Sequence, residues 1–492
     1  MGRMRLAEIA TAAHGELGFG AGHPADGGRT LGGFSIDTRT LQPGDLFFAI
    51  VGPRVDGHDF VETAIEKGAG AVVVAKGGIG RWKTAPAVVR VKDTTRALQE
   101  LGAHARRRRP LKVVGITGSA GKTTAKDMTA AVLGTRFRTH RSEGNLNNTW
   151  GLPLTLLRME DDREAAVLEM GMSYRGEIAR LVEIADPDVG VILNVLRVHL
   201  EHFSGIDAIA QAKGEMFAGL RRDAVAVWNA DDARVARLGR TFPGPSIAYG
   251  LRGRGREVTA EEVVSLGLEG SRFTLRRGRE RVPIILKIAG RQHIGNALAA
   301  AAAGFALGVE AKDIALGLAS VRPAPMRGVL HRRSDGAAVL DDSYNSNPAA
   351  MERAIELLAE TRPRGRRILA AGDMLELGPY AGRAHARVGT LAARAGLDLF
   401  VPVGPLSLKA AQAARRAGAR AVHHLESSAD AAAWLAAEVR PGDLVLVKGS
   451  RGMKMERVVA ALLHDTSAAG HAADAGGAPG AGGPADAGGG AN

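Results

Sequence analysis

The chain has 492 residues, enough for about three domains at roughly 100 to 200 residues each. Its 45% apolar and 24% charged composition excludes wholesale disorder and a collagen-like repeat, and its lack of cysteine excludes disulfides, Cys-ligated zinc, iron–sulfur clusters and thiol nucleophiles together. Sixty-five Lys and Arg against 52 Asp and Glu leave a formal charge of +13, a balance that favours phosphates, nucleotides or nucleic acid as partners.

At the start, Met1-Gly2-Arg3-Met4-Arg5 lacks the apolar core of a signal peptide, and no run approaches the ~20 apolar residues of a membrane span. A cytoplasmic protein without a membrane span is expected. Short apolar runs bounded by turn residues follow: 71–75, 113–116, 165–168 and 189–193, alternating with Ala/Leu-rich helical stretches. That rhythm predicts an α/β protein whose parallel sheet carries helices on its faces. Between the first two runs, Arg106-Arg107-Arg108-Arg109-Pro110 reads as a domain boundary with solvated charges rather than a nucleic-acid patch. Arg252 to Arg256 and Arg272 to Arg281 read as exposed hairpin faces. Pro323-Ala324-Pro325 breaks the pattern as a linker, and the runs 368–371 and 444–447 predict a second α/β unit beyond it. The last 26 residues, Ser467 to Asn492, hold 9 Gly and 10 Ala and no branched aliphatic or aromatic side chain, so a disordered tail is expected.

The strongest chemical signal is Val113 to Thr124: an apolar strand, a glycine-rich turn, then Lys-Thr opening a helix. Glycines let backbone N–H groups approach phosphates, the helix N-terminus adds positive potential, Lys122 reaches the terminal phosphates and the Thr123 hydroxyl can ligate Mg²⁺. The strict motif wants Gly five residues before Gly121, where Ile116 stands, so the cradle is a shortened Gly118-x-x-Gly121-Lys122-Thr123. A nucleotide-bound Mg²⁺ also needs a carboxylate at a strand end. Glu169, Asp341-Asp342 and Asp373 each qualify: local pattern favours Asp341-Asp342, because 337–342 imitates a Walker B strand, Glu169 is closer to Lys122 in sequence, and spacing does not choose among them. His199 follows a strand where doubly wound sheets place ligands, although a lone histidine there is more often a polar loop residue. Lys213 alone reads as a surface lysine on a helix.

Taken in order, Thr117 to Thr123, Asn145-Leu146-Asn147-Asn148, Glu169-Met170-Gly171, His199-Leu200-Glu201 and Asp341 to Pro348 resemble the Mur ligases of peptidoglycan synthesis. The stretches 372–378 and 447–451, with 35–39 and 56–60, resemble the members that add D-alanyl-D-alanine, and the likeness runs from about Ile36 to Glu456. It implies an N-terminal UDP-substrate domain (1–108), a central parallel-sheet, P-loop ATPase-like ATP-binding domain (109–322), a C-terminal Rossmann-like domain (323–466) and the tail (467–492).

The resemblance also implies roles. Gly118, Ser119, Ala120, Gly121, Lys122, Thr123 and Thr124 would hold ATP, with Asn296 at adenine, Arg327 at the phosphates, and Asp342 and Tyr344 near the nucleotide. Two Mg²⁺ ions are expected, with Thr123, Glu169, His199 and a carbamylated Lys213 as ligands. Asp37, Thr38 and Arg39 would meet UDP, while Asn145, Asn147 and Asn148 line the muramyl-peptide path. Asn345, Asn347 and Lys448 complete the substrate contacts. The chain departs from the family at Gln292-His293, where His-Asn is usual, which touches the adenine contact at His293. The implied partners are UDP-N-acetylmuramoyl-tripeptide and D-alanyl-D-alanine, joined through an acyl phosphate with Lys122, Glu169, His199, Lys213 and Arg327 as catalytic groups on a monomer. Another ligase of the superfamily and a basic nucleic-acid ATPase are the competing readings; the aromatic content of 4%, without aromatic–basic interleaving, speaks against the second, so no nucleic-acid partner is expected.

Overall fold

The computed structural model describes residues 3–77, 79–82, 84–197, 201, 203–253 and 255–464. The tail expected from Ser467 onward lies outside the described residues, as does His199. By its internal contacts the chain divides into two compact units, one of Met1–Ala324 with Glu376–Ala381, the other of Pro325–Leu375 with the chain from Gly382 onward.

The first unit contains two large sheets. A five-stranded sheet runs in the order Glu16–Gly18, Val88–Arg90, Ala71–Val74, Leu46–Phe48, Phe34–Ser35. Its pairs are parallel except the first. The central strand Ala71–Val74 is buried along its whole length, as a run of small and β-branched residues must be when both faces are covered. The helix Thr94–Arg107 leaves this sheet from an Asp93 cap, whose carboxylate accepts the N–H groups of Thr95 at 2.8 Å and Arg96 at 3.0 Å.

The second sheet has nine strands, ordered Glu280–Leu286, Ser271–Arg277, Val258–Ser265, Ser246–Tyr249, Val225–Asn229, Val189–Ile192, Lys112–Thr117, Ala165–Glu169, Thr139–Arg141. The first three form an antiparallel meander and the rest are parallel. Helix Gln292–Ala306 is apolar nearly all round, with Ala297 to Ala303 all buried. Small side chains let it come close to the helix Lys122–Leu133: a Cβ on Gly304 would stand 2.6 Å from Val132 Cγ1.

Two expectations about charge need correction. The arginine run is not merely solvated: Arg106 is buried, donating to the carbonyls of Ala185 at 3.0 Å and Asp186 at 3.1 Å and pairing with Asp188 at 3.4 Å, while Arg109 pairs with Asp161. Helix Thr94–Arg107 carries Arg106 across to the central sheet, where burial demands partners. The described residues of Arg252 to Arg256 lie in the connection between the strands Ser246–Tyr249 and Val258–Ser265, where the N–H groups of Arg252 and Gly253 bind Asp231, rather than on a hairpin face. The stretch Arg272 to Arg281 is a hairpin, with Arg276 and Arg281 paired to Glu261 across the meander. Among the described residues no helix is long and apolar enough to cross a membrane.

The second unit is built on five strands, ordered Val329–Arg332, Ala338–Asp342, Leu444–Lys448, Arg367–Gly372, Leu399–Val403, all parallel except the first pair. Leu444–Lys448 lies in the middle and is wholly buried. Each such Leu or Val contributes about 1.5–3 kcal/mol on burial.

Candidate active site

Strand Lys112–Thr117 ends between the strands Val189–Ile192 and Ala165–Glu169, and the glycine turn follows at its carboxyl end. Gly121 takes φ +84°, a left-handed conformation glycine adopts freely, and caps helix Lys122–Leu133. That helix has no acidic residue in its first turn, so its positive end is left to an anion. The half-buried Lys122 reaches back over the turn, Nζ donating to the Gly118 carbonyl at 3.0 Å. The N–H groups of Ser119 and Ala120 are engaged within the protein, by the carbonyl of Asn194 at 3.1 Å and its Oδ1 at 2.9 Å.

Register brings one of the three candidate carboxylates to the glycine turn. Glu169 pairs with Ile116, so its side chain leaves the neighbouring strand beside the turn. Glu169 Oε2 accepts from Thr123 Oγ1 at 2.8 Å and Oε1 from Asn147 Nδ2 at 2.8 Å, with Thr123 and Glu169 both buried. Its backbone N–H donates to Ser142 Oγ at 3.2 Å, and the Ser142 carbonyl accepts from the buried Lys126 at 2.7 Å. Asp341 and Asp373 are occupied otherwise: Asp341 accepts from the Ser343 hydroxyl at 2.5 Å, Asp373 from the N–H groups of Leu406 at 3.1 Å and Ser407 at 2.7 Å. A hydroxyl and a carboxylate held together at the cradle are hard oxygen donors of the kind Mg²⁺ takes alongside nucleotide phosphates, so Thr123 and Glu169 fit that ion.

Lys213, on helix Ile206–Ala218, is not the surface lysine its local sequence suggests. It is buried, and burial, reinforced by the charge of Lys122, holds its amine well below the ordinary lysine value. Asn296, on helix Gln292–Ala306, faces Gly121: a Cβ there would stand 2.7 Å from Asn296 Oδ1. Asn296 Nδ2 lies 3.4 Å from Nδ1 of His293, the residue at which this chain departs from the family pattern.

Family models of the Mur ligases match three stretches: the Mur ligase family catalytic domain over residues 30–109, the middle domain over 116–304 and the glutamate ligase domain over 326–451. The UDP-N-acetylmuramoyl-tripeptide–D-alanyl-D-alanine ligase of Bacillus subtilis (strain 168) is 37% identical over 432 residues, covering 88% of this chain and 93% of that relative. The chain belongs to the Mur ligase family. The Escherichia coli (strain K12) enzyme of the same name is 37% identical over 436 residues, 88% of this Mur ligase and 94% of its relative. Among solved structures, MurF from Acinetobacter baumannii aligns with a TM-score of 0.84 at 30% identity, covering 94% of this chain and 99% of that one. MurF ligase from Thermotoga maritima, solved in complex with ADP, aligns at 0.75 and 28% identity over 87% and 96%.

The other residues that the resemblance singles out fall in separate places on this Mur ligase. In the N-terminal sheet, Asp37 and Arg39 form an ion pair after strand Phe34–Ser35, with Nη2 of Arg39 2.6 Å from Asp37, while the Thr38 carbonyl accepts from Lys67 at 2.8 Å. Hydrogen bonding from the Arg39 side chain is the main cause that holds the Asp37 carboxyl below its usual value. Asn145 and Asn148 are exposed, and the Asn148 carboxamide accepts the Gly151 N–H at 2.8 Å as helix Gly151–Arg158 opens. In the second unit, Lys448 is buried and donates to Asp342 at 2.6 Å and to the Asn345 carbonyl at 3.0 Å. Arg327 lies over the Tyr344 ring, 4.0 Å from its centroid, and Asn347 caps helix Pro348–Glu360 through the Ala350 N–H at 2.9 Å. Sequence reasoning assigns no role to Asn194, Ser142 or Lys126. Their position after or within recognised strands and helices is the available signal, but their partners lie in the glycine turn or in and just after other strands, distant in sequence.

Proposed function

We propose that this Mur ligase joins D-alanyl-D-alanine to UDP-N-acetylmuramoyl-tripeptide at the expense of ATP, in peptidoglycan precursor synthesis. The observation that carries the reading is the Thr123–Glu169 pair at the N-terminus of the cradle helix, in a chain that matches enzymes of this name over 88% of its length. A carboxylate is a poor electrophile until one oxygen becomes a good leaving group. The tripeptide's terminal carboxylate attacks the γ-phosphorus of ATP and ADP leaves, forming an acyl phosphate. The dipeptide's amine then attacks the acyl carbon, inorganic phosphate leaves and the amine proton is lost to solvent.

The protein's part is alignment and charge. The helix N-terminus and Lys122 neutralise the phosphate oxygens as charge moves onto them, and Arg327 is assigned to the phosphates on the family pattern alone. Thr123 and Glu169 would hold Mg²⁺, which when bound screens charge between phosphate groups. Asn147 keeps the Glu169 carboxylate in place. Lys213, a buried amine whose ammonium form burial disfavours, is assigned on the family pattern to add carbon dioxide and become an anionic carbamate ligand, with His199 assigned to the same second ion on that pattern alone. Residues 1–108 receive the UDP moiety through Asp37, Thr38 and Arg39, residues 109–322 ATP, and residues 323–466 contribute Asp342, Tyr344, Asn345, Asn347 and Lys448. Asn145 and Asn148 line the peptide path, and Asn296 meets adenine. A cytoplasmic monomer suffices for this chemistry.

The test is phosphate release from ATP with both partners, with each alone, with free amino acids in place of the dipeptide, and with DNA or RNA. Release only with UDP-muramoyl-tripeptide plus D-alanyl-D-alanine supports the reading. Equal release with a free amino acid, or stimulation by nucleic acid, overturns it.

A further inference from the structure

We propose that Asn194 is a positioning residue for the nucleotide site, clamping the cradle turn so that the start of the helix, rather than the peptides of the turn, is presented to phosphate. The proposal rests on the nucleotide-binding part of the reading above. Asn194 Oδ1 accepts the Ala120 N–H at 2.9 Å, and its Nδ2 donates to the Ala120 carbonyl at 3.0 Å. One planar side chain thus satisfies both polar groups of one turn residue. The Asn194 backbone carbonyl takes the Ser119 N–H at 3.1 Å, and the Ser119 hydroxyl accepts from the Leu196 N–H at 2.9 Å and donates to the Leu196 carbonyl at 3.3 Å.

These bonds redirect the turn. A phosphate cradle ordinarily turns its loop N–H groups toward the ligand. Here those of Ser119 and Ala120 are held by the segment after strand Val189–Ile192. The start of the helix offers an anion the N–H groups of Thr123 and Thr124, which have no acceptor within a helix. Close approach is built in, since a Cβ on Gly118 would stand 2.9 Å from Leu193 Cβ.

The clamp is itself anchored. Asn229 Nδ2 donates to the Leu193 carbonyl at 2.8 Å. Asp232 accepts the Val195 N–H at 2.8 Å with one oxygen, and with the other caps helix Ala233–Arg240 through the N–H groups of Arg234 at 3.0 Å and Val235 at 3.2 Å. Residues on both sides of Asn194 are therefore tied to the next strand and helix. Only a carboxamide of this length offers a donor and an acceptor in one plane. Aspartate keeps the acceptor for Ala120 N–H but sets an oxygen against the Ala120 carbonyl.

The experiment compares the full-length wild type with Asn194→Ala and Asn194→Asp, measuring Mg²⁺–ADP binding by calorimetry and KM for ATP and for UDP-muramoyl-tripeptide. Both changes should weaken ADP binding and raise KM for ATP by about ten- to a hundredfold, the loss expected for one or two partly buried hydrogen bonds. KM for the UDP substrate should stay within about twofold, a split that a general loss of structure would not produce. If the alanine variant does not fold, the aspartate variant decides by the same measurements. A folded variant that binds ADP within about twofold of wild type overturns the clamp. Wild-type protein whose ADP binding depends on Asn194 but which makes no amide supports the clamp and overturns the reaction instead.

Discussion

Replacing Gly121 by alanine tests how tightly the turn is specified. Its φ of +84° costs an L-residue roughly 1–2 kcal/mol. The new Cβ would also stand 2.7 Å from Asn296 Oδ1 and 3.1 Å from Nδ2, so turning the carboxamide over relieves nothing. Asn296 is buried on a helix that is itself packed on both sides and cannot step away cheaply. Strain of at least about 2 kcal/mol must then be relieved by opening the turn or displacing Asn296, and either disturbs the nucleotide site. At about 1.4 kcal/mol per factor of ten, kcat/KM for ATP should fall about 30-fold or more, while KM for UDP-muramoyl-tripeptide changes little. The assay is phosphate release against ATP concentration, with Gly396→Ala as control, where φ is +63° and a Cβ meets nothing within 4 Å. Gly121→Ala protein that uses ATP as wild type does would refute both the turn geometry and its connection to nucleotide binding.

Lys122→Ala should abolish ATP turnover without lowering the melting temperature, because a half-buried side chain bonded to a loop carbonyl adds charge to the site and little to the core. Lys213→Ala should lose most activity and regain part of it with added formate or acetate, which can occupy the vacated anionic position; mass spectrometry under carbon dioxide would detect the carbamate on the wild type. Arg106→Ala should destabilise the first unit by about 2–3 kcal/mol in urea unfolding, since it leaves the carbonyls of Ala185 and Asp186 short of a donor. An unchanged midpoint would mean those bonds contribute nothing net. In the second unit, burial pushes the Asp443 carboxyl up, but hydrogen bonds from the Arg366 guanidinium and from the Arg366 and Arg440 N–H groups outweigh it and hold the group below its usual value. A depressed folded value stabilises above the unfolded pKa of about 3.9 and is lost as pH falls through the folded one. Asp443→Asn should therefore lower stability at pH 7 and flatten the acid limb of the melting curve, and an unaltered limb would count against the pairing.

The strand, glycine turn and Lys-Thr helix were legible in sequence because each depends on neighbours in the chain: apolar runs that bury, a left-handed position that wants glycine, a helix start whose first N–H groups find no acceptor within the helix. The alternation of apolar runs with helical stretches likewise announced parallel sheets in both units, and the observed strands Ala71–Val74, Ala165–Glu169 and Leu444–Lys448 stand where those runs lie. Local pattern could not choose Glu169 over Asp341 or Asp373, because the choice depends on which strand lies beside Lys112–Thr117 and in what register. The same holds for Asn194, whose partner Ala120 is distant in sequence but sits on the adjoining strand's turn, and for Lys213 and Arg106, charged residues whose helices face inward. Strand order is set by burial summed over the whole unit, so the pairings that complete the cradle exist only once the sheet has closed around it.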